Sequence, residues 1–383
     1  MNLTRHKALS SAAVVSAFVL TTGFGFGKKA EAPPAYDPAA SAASQAASFV
    51  APGKAAKFMA DVRKIAITSC NVMFAFKSNG SAGTQGGLFS QAGGVTRAEA
   101  KVKVEYNLQG MDDASMQTLT NEICARAEDQ TRAAGFDVVP AADLATNEDF
   151  QGMHQNARPV PFEYKASGKG TSTRYVVYAP EGQGVFDPRF IGTSAGLGAA
   201  MKAAKGESPD LYEGRVMDTL GADAMHVNIL VDFTEMESDG QKAAMGGLAS
   251  KDSASVDSEA RLSIAGDMNI RLKAFQNCWE RFGKHECMTD LAKVPSFSTA
   301  HPVVSTAPFY TDLVNETTTG DKVANVATKG IAVMAALSGV KGGMSTNVTR
   351  YGVHVDPVQY GTEVKTYVAG FIDMMLSSAK SAQ

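Results

Sequence analysis

The chain has 383 residues, enough for two domains of ordinary size or one domain with large insertions. Hydrophobic residues make up 44% and charged residues 20%, a balance that can bury a core and excludes generic disorder. Lys and Arg number 36 against 39 acids, and the net charge of -3 excludes a nucleic-acid binder that works through a global basic field.

Residues 1–32 read as an export signal. Arg5 and Lys7 supply the basic start, Ala12 to Leu20 the apolar stretch, and Ala30-Glu31-Ala32 a small-residue cleavage site. Pro33 just after that site and an apolar stretch extendable through Phe26 keep an uncleaved inner-membrane anchor as the alternative. Without a cysteine near the site, the usual lipoprotein acylation does not apply. Residues 33–60 are rich in Ala, Ser and Pro and read as a linker with too few large apolar residues to fold alone. The folded domain is expected over 61–383.

Lys64 to Phe76 (KIAITSCNVMFAF) predicts a strand, being rich in branched and aromatic residues. A glycine- and serine-rich stretch from Lys77 to Val95 follows without periodicity. In Ala100 to Leu108, Val102, Val104 and Tyr106 alternate with Lys101, Lys103 and Glu105, which predicts a strand with one wet face. Asp112 and Asp113 cap a helix running to about Ala134, with Met116, Leu119, Ile123 and Ala127 on one face and Gly135 at its end. Phe136 to Val139 predicts a short strand and Ala141 to Asp149 a short helix, which together suggest an α/β unit.

Arg174 to Ala179 is strand-like. Ser208 starts an amphipathic helix carrying Leu211, Val216 and Leu220 that ends at Gly221, and Ala224 to Met236 continues as a long strand. Asp239 to Asp257 reads as a polar loop, and Glu259 to Phe275 alternates as a long antiparallel strand would. Val323 to Val340, apolar but interrupted by glycine, predicts a buried helix. Pro357 opens a last helix whose apolar face is Val364, Val368, Phe371, Ile372, Met375 and Leu376; it packs on its own sheet or on a neighbouring subunit. The fold class is therefore α/β, with α+β as the variant: a mixed sheet flanked by helices, long glycine-rich insertions, an antiparallel meander and a C-terminal amphipathic helix.

The cysteines fit an exported chain. Cys278 and Cys287 bracket WERFGKHE, where a hairpin turning at Gly283 would set the sulfurs opposite each other as a disulfide. The rival is a zinc site of Cys278, His285 and Cys287, which lacks a regular C-x-x-C pair. Cys70 on a strand and Cys124 on a helix face form a second bridge or stay as buried thiols.

One catalytic motif stands out. Gly192-Thr193-Ser194-Ala195-Gly196 satisfies G-x-S-x-G, the turn that presents a nucleophilic serine, and resembles the serine elbow of patatin-like lipid hydrolases. Ser194 would attack an ester with Asp239 as base, or with Asp232 and His354 in a Ser-Asp-His order. Against it, Pro188 interrupts the strand that should precede the turn, and no glycine-rich oxyanion motif lies shortly upstream. Gly168-Lys169-Gly170-Thr171 lacks the first glycine of a phosphate loop and reads as a solvated turn. His226, between Met225 and Val227, reads as a hydrogen-bonded sheet histidine. No cofactor and no metal are implied.

The order of blocks carries a resemblance. An exported chain opens with a KIAI strand, runs a long helix into GFDVVP, and joins helix to strand at LGADAMHVNILVDF before the meander strand EARLSIAGDMNIRLKAF. In these scattered blocks over about 64–275 it resembles the CsgG-like and TolB N-terminal-like group of envelope proteins. That resemblance implies a periplasmic α/β domain acting without catalysis, by assembly with envelope proteins or with copies of itself. It also implies outer-membrane association and a ring-forming oligomer related to curli-type secretion proteins. The chain departs from CsgG itself in having no acylated cysteine and no alternating ten-residue apolar segments of the kind barrel strands need. A secreted serine hydrolase at Ser194 is the alternative function.

Overall fold

The computed structural model describes residues 34–83, 100–167, 170–186, 207–239, 253–281, 283–317, 331–336 and 345–383. In chain order the elements are α1 (Ala42–Phe49), β1 (Val50–Pro52), β2 (Lys64–Gly83), β3 (Ala100–Gln109), α2 (Asp113–Ala133), β4 (Asp137–Val138), α3 (Ala141–Ala145) and α4 (Glu148–Asn156). Then follow β5 (Phe162–Ser167), β6 (Thr171–Tyr178), α5 (Pro209–Leu220), β7 (Asp223–Asp239), β8 (Ser253–Arg271), β9 (Gln276–Arg281) and β10 (Lys284–Thr289). The chain ends with β11 (Ser296–Thr299), β12 (Val303–Val304), β13 (Asp312–Asn315), β14 (Ile331–Ala336), β15 (Ser345–His354) and α6 (Pro357–Ser381). The fold is α/β: a mixed sheet flanked by helices, with a separate β9–β10 hairpin.

The sheet has two regimes, and β2 shows where they meet. Its Ile65 to Phe74 run parallel to β7, from Asp223 to Val231. From Val72 to Gly80 the same strand pairs with β6, and from Lys77 to Gly83 with β3. A strand has only two edges, so β3 takes the place of β7 beside β2 once Phe74 is passed. Register shifts mark the changeover, between Ala75 and Lys77 in β2 and between Asp232 and Thr234 in β7. Beyond it, β7 stays with β8 and β14, while β2 continues with β6, β3 and β15.

The two separated sheets then face each other. Tyr106 on β3 and Ser258 on β8 join through their hydroxyls at 3.2 Å. A Cβ at Gly80 would stand 2.7 Å from Val256 Cγ1, so the glycine is what lets the sheets approach. Val102, Val104, Tyr106, Ala82 and Val256 are buried between them. Because β2 and β7 are parallel, the ends Gly83, Ala100, Asp239, Ser253, Ala336 and Ser345 gather at one end of the sheet.

The other half is covered by helices on both faces, and period-two alternation sorts the residues. Ile65 of β2 joins the main core, with α1, α2 and α6, while its neighbour Ala66 joins a second cluster with Leu144, Phe150, Met153, Phe186 and Val216. Helix α2 starts where Asp112 accepts from the Ser115 amide, and it buries Met116, Leu119, Ile123 and Ala127 as the pattern requires. Helix α6 starts at Pro357 behind Asp356, which accepts from the amides of Val358 and Gln359. Its six predicted apolar residues are all buried within this chain, against α1, α2 and β8.

Residues 77–83, expected to start a glycine-rich loop, extend β2, and residues 253–257, expected to end a polar loop, open β8. Three other readings also change. Residues 33–60, expected to be a linker, are folded in the described part: α1 lies on α6, and Phe49 and Met59 are fully buried. A few large anchors suffice because the small residues of α1 let the helices meet closely. Tyr36 adds an edge-on contact with Phe49 at 5.8 Å and a tilted one with Tyr367 at 5.7 Å. Phe49→Ala is therefore expected to cost about 3–4 kcal/mol in urea unfolding, whereas an undocked tether would cost nothing. The stretch 323–340, expected to be a buried helix, is in its described part the strand β14, paired with the outer half of β8. A short apolar run does not separate the two by pattern, and the free edge of β8 decides it. The predicted 141–149 helix is two short ones, α3 and α4, the second capped by Asn147 accepting from the Phe150 amide.

Candidate functional site: a cationic cleft

Alternation along the outer half of the sheet sends Lys77, Asn79 and Ser81 of β2, and Lys103 and Glu105 of β3, to the face away from the inner packing. Lys165 of β5 and Gly170, Thr171 and Ser172 at the start of β6 complete the lining of an open cleft of about 470 Å³. Gly170, at φ +77°, sits in the turn between β5 and β6. Its carbonyl accepts from the Ser81 amide at 2.6 Å, which ties that turn to the end of β2.

Glu105 is the acid of the cleft, and it is already occupied. Lys103 bonds it directly, Lys77 Nζ lies at 3.6 Å, and Arg350 Nε of β15 donates to it at 3.2 Å. Burial of the side chain opposes ionisation, but the hydrogen bond and charge of Lys103, with Lys77 and Arg350, outweigh it and hold the carboxyl below its usual value. Lys77, Lys103 and Arg350 all remain about one-third exposed. With Lys165, the cleft thus presents excess positive charge, hydroxyls and an amide on a chain that is acidic as a whole. Such a surface is chemically suited to an oxyanion; among the described residues lining it, none pairs a nucleophile with a base.

A second polar constellation lies on the opposite regime of the sheet, under α5. Glu213 accepts from Thr68 Oγ1 of β2 at 2.5 Å, contacts His226 Nε2 of β7 at 2.6 Å, and accepts from Arg271 Nη1 of β8 at 2.7 Å. Arg271 Nη1 also donates to Asp210 at 2.7 Å. The Phe186 ring closes the site, edge-on to His226 at 5.1 Å. Glu213 is fully buried, which alone would raise its carboxyl; the charges of Arg271 and His226 reverse this and bring it down to about 2. Glu213 and His226 are each only 1% exposed, and the network anchors α5 to three central strands. The sheet-histidine reading of His226 agrees with this geometry.

Both disulfides are formed. Cys70 of β2 bridges to Cys124 of α2, and Cys278 bridges to Cys287, its direct opposite across β9 and β10, with Gly283 at φ +73° in the turn. The Cys278, His285 and Cys287 atoms do cluster within 4.8 Å, as the zinc reading required, but both sulfurs are spent in the bridge and are not thiolates. Ser194 and its GTSAG turn lie outside the described residues, as do Gly168 and Lys169. Asp239 is the last residue of β7.

Asp232 is half-buried at the point where the sheets part. It accepts from Tyr175 Oη at 3.0 Å and from the amides of Phe233 and Thr234, at the register shift between β7 and β8. His354 ends β15, where its carbonyl accepts from the Thr311 amide, and no described hydrogen bond joins it to Asp232. The cleft itself escaped the sequence reading. Its trace was the wet face of Lys103 and Glu105 on β3, and the turn at Gly170-Thr171, read separately. In comparisons with protein-family models, curated proteins and solved structures, nothing matches this chain.

Proposed function

We propose that the chain is an exported cell-envelope protein that acts without catalysis, binding anionic envelope components through the cleft and associating with copies of itself or with other envelope proteins. The observation that carries this reading is the cationic cleft on an acidic chain. The signal-like start and the two disulfides support an oxidising compartment, whether periplasm or outer-membrane surface. Assembly into a ring, as the CsgG-like resemblance implies, would use the end of the sheet where the strand ends gather. A channel wall gains no support from the outward faces of β2 and β3. They carry Lys77, Asn79, Ser81 and Lys103 where lipid would demand apolar side chains.

The test is binding of the purified mature chain to vesicles with and without anionic lipid, read by sedimentation at low and high salt. Wild type should bind the anionic vesicles, with affinity falling as salt rises. Replacing Lys77, Lys103 and Lys165 with Glu should weaken binding by about a hundredfold or more, at roughly fivefold (about 1 kcal/mol) per lysine lost. Equal binding by that variant would sink the cleft as the binding surface. Light scattering of protein extracted from the envelope tests assembly separately: a monomer released by osmotic shock would remove the oligomer.

A further inference from the structure

The two disulfides differ in their surroundings. Cys70 and Cys124 are 4% and 8% exposed, in the core between β2 and α2. Cys287 is buried at 1%, but its partner Cys278 is exposed to solvent. Register places Cys278 opposite Cys287 and Glu280 opposite His285, and alternation puts all four on one face of the hairpin. His285 Nδ1 lies 3.0 Å from Glu280 Oε1, and His285 Nε2 lies 3.4 Å from Cys287 Sγ. A carboxylate, an imidazole and a sulfur are thus in line, the order that activates or stabilises a thiolate.

We propose that Cys278–Cys287 is an exchangeable disulfide that reacts with thiols, with Cys278 the sulfur attacked and Cys287 the leaving group. An incoming thiolate attacks the exposed Cys278 Sγ and forms a mixed disulfide. The Cys278–Cys287 bond breaks, and its electron pair leaves on Cys287 Sγ. Protonated His285 pairs with that thiolate, and Glu280 on the other ring nitrogen orients the ring and supports its charge. A second thiolate then attacks the external sulfur of the mixed disulfide, releasing Cys278 as a thiolate. Two thiols are oxidised to one disulfide while the protein bridge gains two electrons. The hairpin is held for this by α5: a Cβ at Gly214 would stand 2.1 Å from the Cys287 carbonyl oxygen, so strand and helix touch backbone to backbone. The buried sulfur therefore stays beside His285 while the exposed one exchanges.

The experiment treats the folded full chain with reduced glutathione, quenches with acid, alkylates, and maps the peptides by mass spectrometry. Trp279, the chain's one tryptophan and the neighbour of Cys278, follows the same opening by fluorescence. Glutathione is expected on Cys278 before any appears on Cys70 or Cys124. His285→Ala should slow its arrival by about tenfold. A misfolded variant would open faster, so slowing cannot come from damage, and the Cys70–Cys124 pair reports any global unfolding. Glutathione first on Cys287, opening of both bridges together, or an unchanged rate in His285→Ala would each overturn the proposal.

Discussion

Glu213→Ala is expected to cost about 3–5 kcal/mol of folding free energy, the range for breaking a buried ion pair by removing one partner. The acid holds Thr68, His226 and Arg271 at once, so its loss takes a hydrogen-bond or charge partner from each of three strands and loosens α5. Arg271 keeps Asp210, but that carboxylate is about one-third exposed and screened by water. Glu213→Gln should cost less, since it keeps hydrogen-bonding capacity while losing the charge. Urea unfolding at neutral pH checks both. A loss below about 1 kcal/mol for the alanine variant would mean that the cluster is dispensable.

The same residue sets an acid limit on stability. Its carboxyl sits near 2 in the folded protein, below the ordinary 4.5. Its contribution is therefore complete above about 4.5 and disappears as pH falls towards 2. His154 acts earlier. Burial brings its imidazole down to about 4 from 6.5, so between those values the unfolded chain binds the proton more readily, and stability falls as pH drops through that window. The expected profile is a decline starting near pH 6.5 and steepening below 4.5, with the second phase smaller in Glu213→Gln but not abolished, since Glu105 is also held below its usual value. Urea midpoints across pH 3–7 decide it.

Replacing both Cys70 and Cys124 with Ala is expected to cost about 4 kcal/mol, because that bridge closes a loop of 54 residues. The Cys278–Cys287 bridge spans only 9 residues, and the same chain-entropy relation assigns it about 2.5 kcal/mol. The ordering is the test, since both variants lose the same chemical bond. If removing the short bridge costs as much as the long one, loop closure is not what the bridges supply. An intermediate that unfolds α2 alone in the first variant would place the effect between β2 and α2.

Much of the architecture is written locally. The Met116, Leu119, Ile123, Ala127 spacing and the Asp112 cap determine α2, and the alternation around Val102, Val104 and Tyr106 determines β3, because each pattern refers only to near neighbours. The Cys278–Cys287 pair is legible for the same reason: nine residues and a turning glycine bring the sulfurs together. The helix at 357–381 shows its buried face in the sequence, but not what covers it. That required α1, a segment of mostly small residues whose helix finds its value only when Phe49 reaches the core.

Tertiary structure alone decided the rest. Whether 331–336 is strand or helix turned on a vacant edge of β8, and whether Cys70 meets Cys124 turned on how α2 crosses β2. The cleft draws lysines from positions 77, 103 and 165, on strands brought together by β3 replacing β7 on one edge of β2 and by β6, with β5 beyond it, on the other. Periodicity tells which way each side chain points from its own strand. It carries no information about which strand lies next to which, since pairing is set by long-range closure and packing. Fold class, wet faces and one disulfide belong to the sequence by itself. The cleft, the buried network and the second disulfide exist only where distant strands meet.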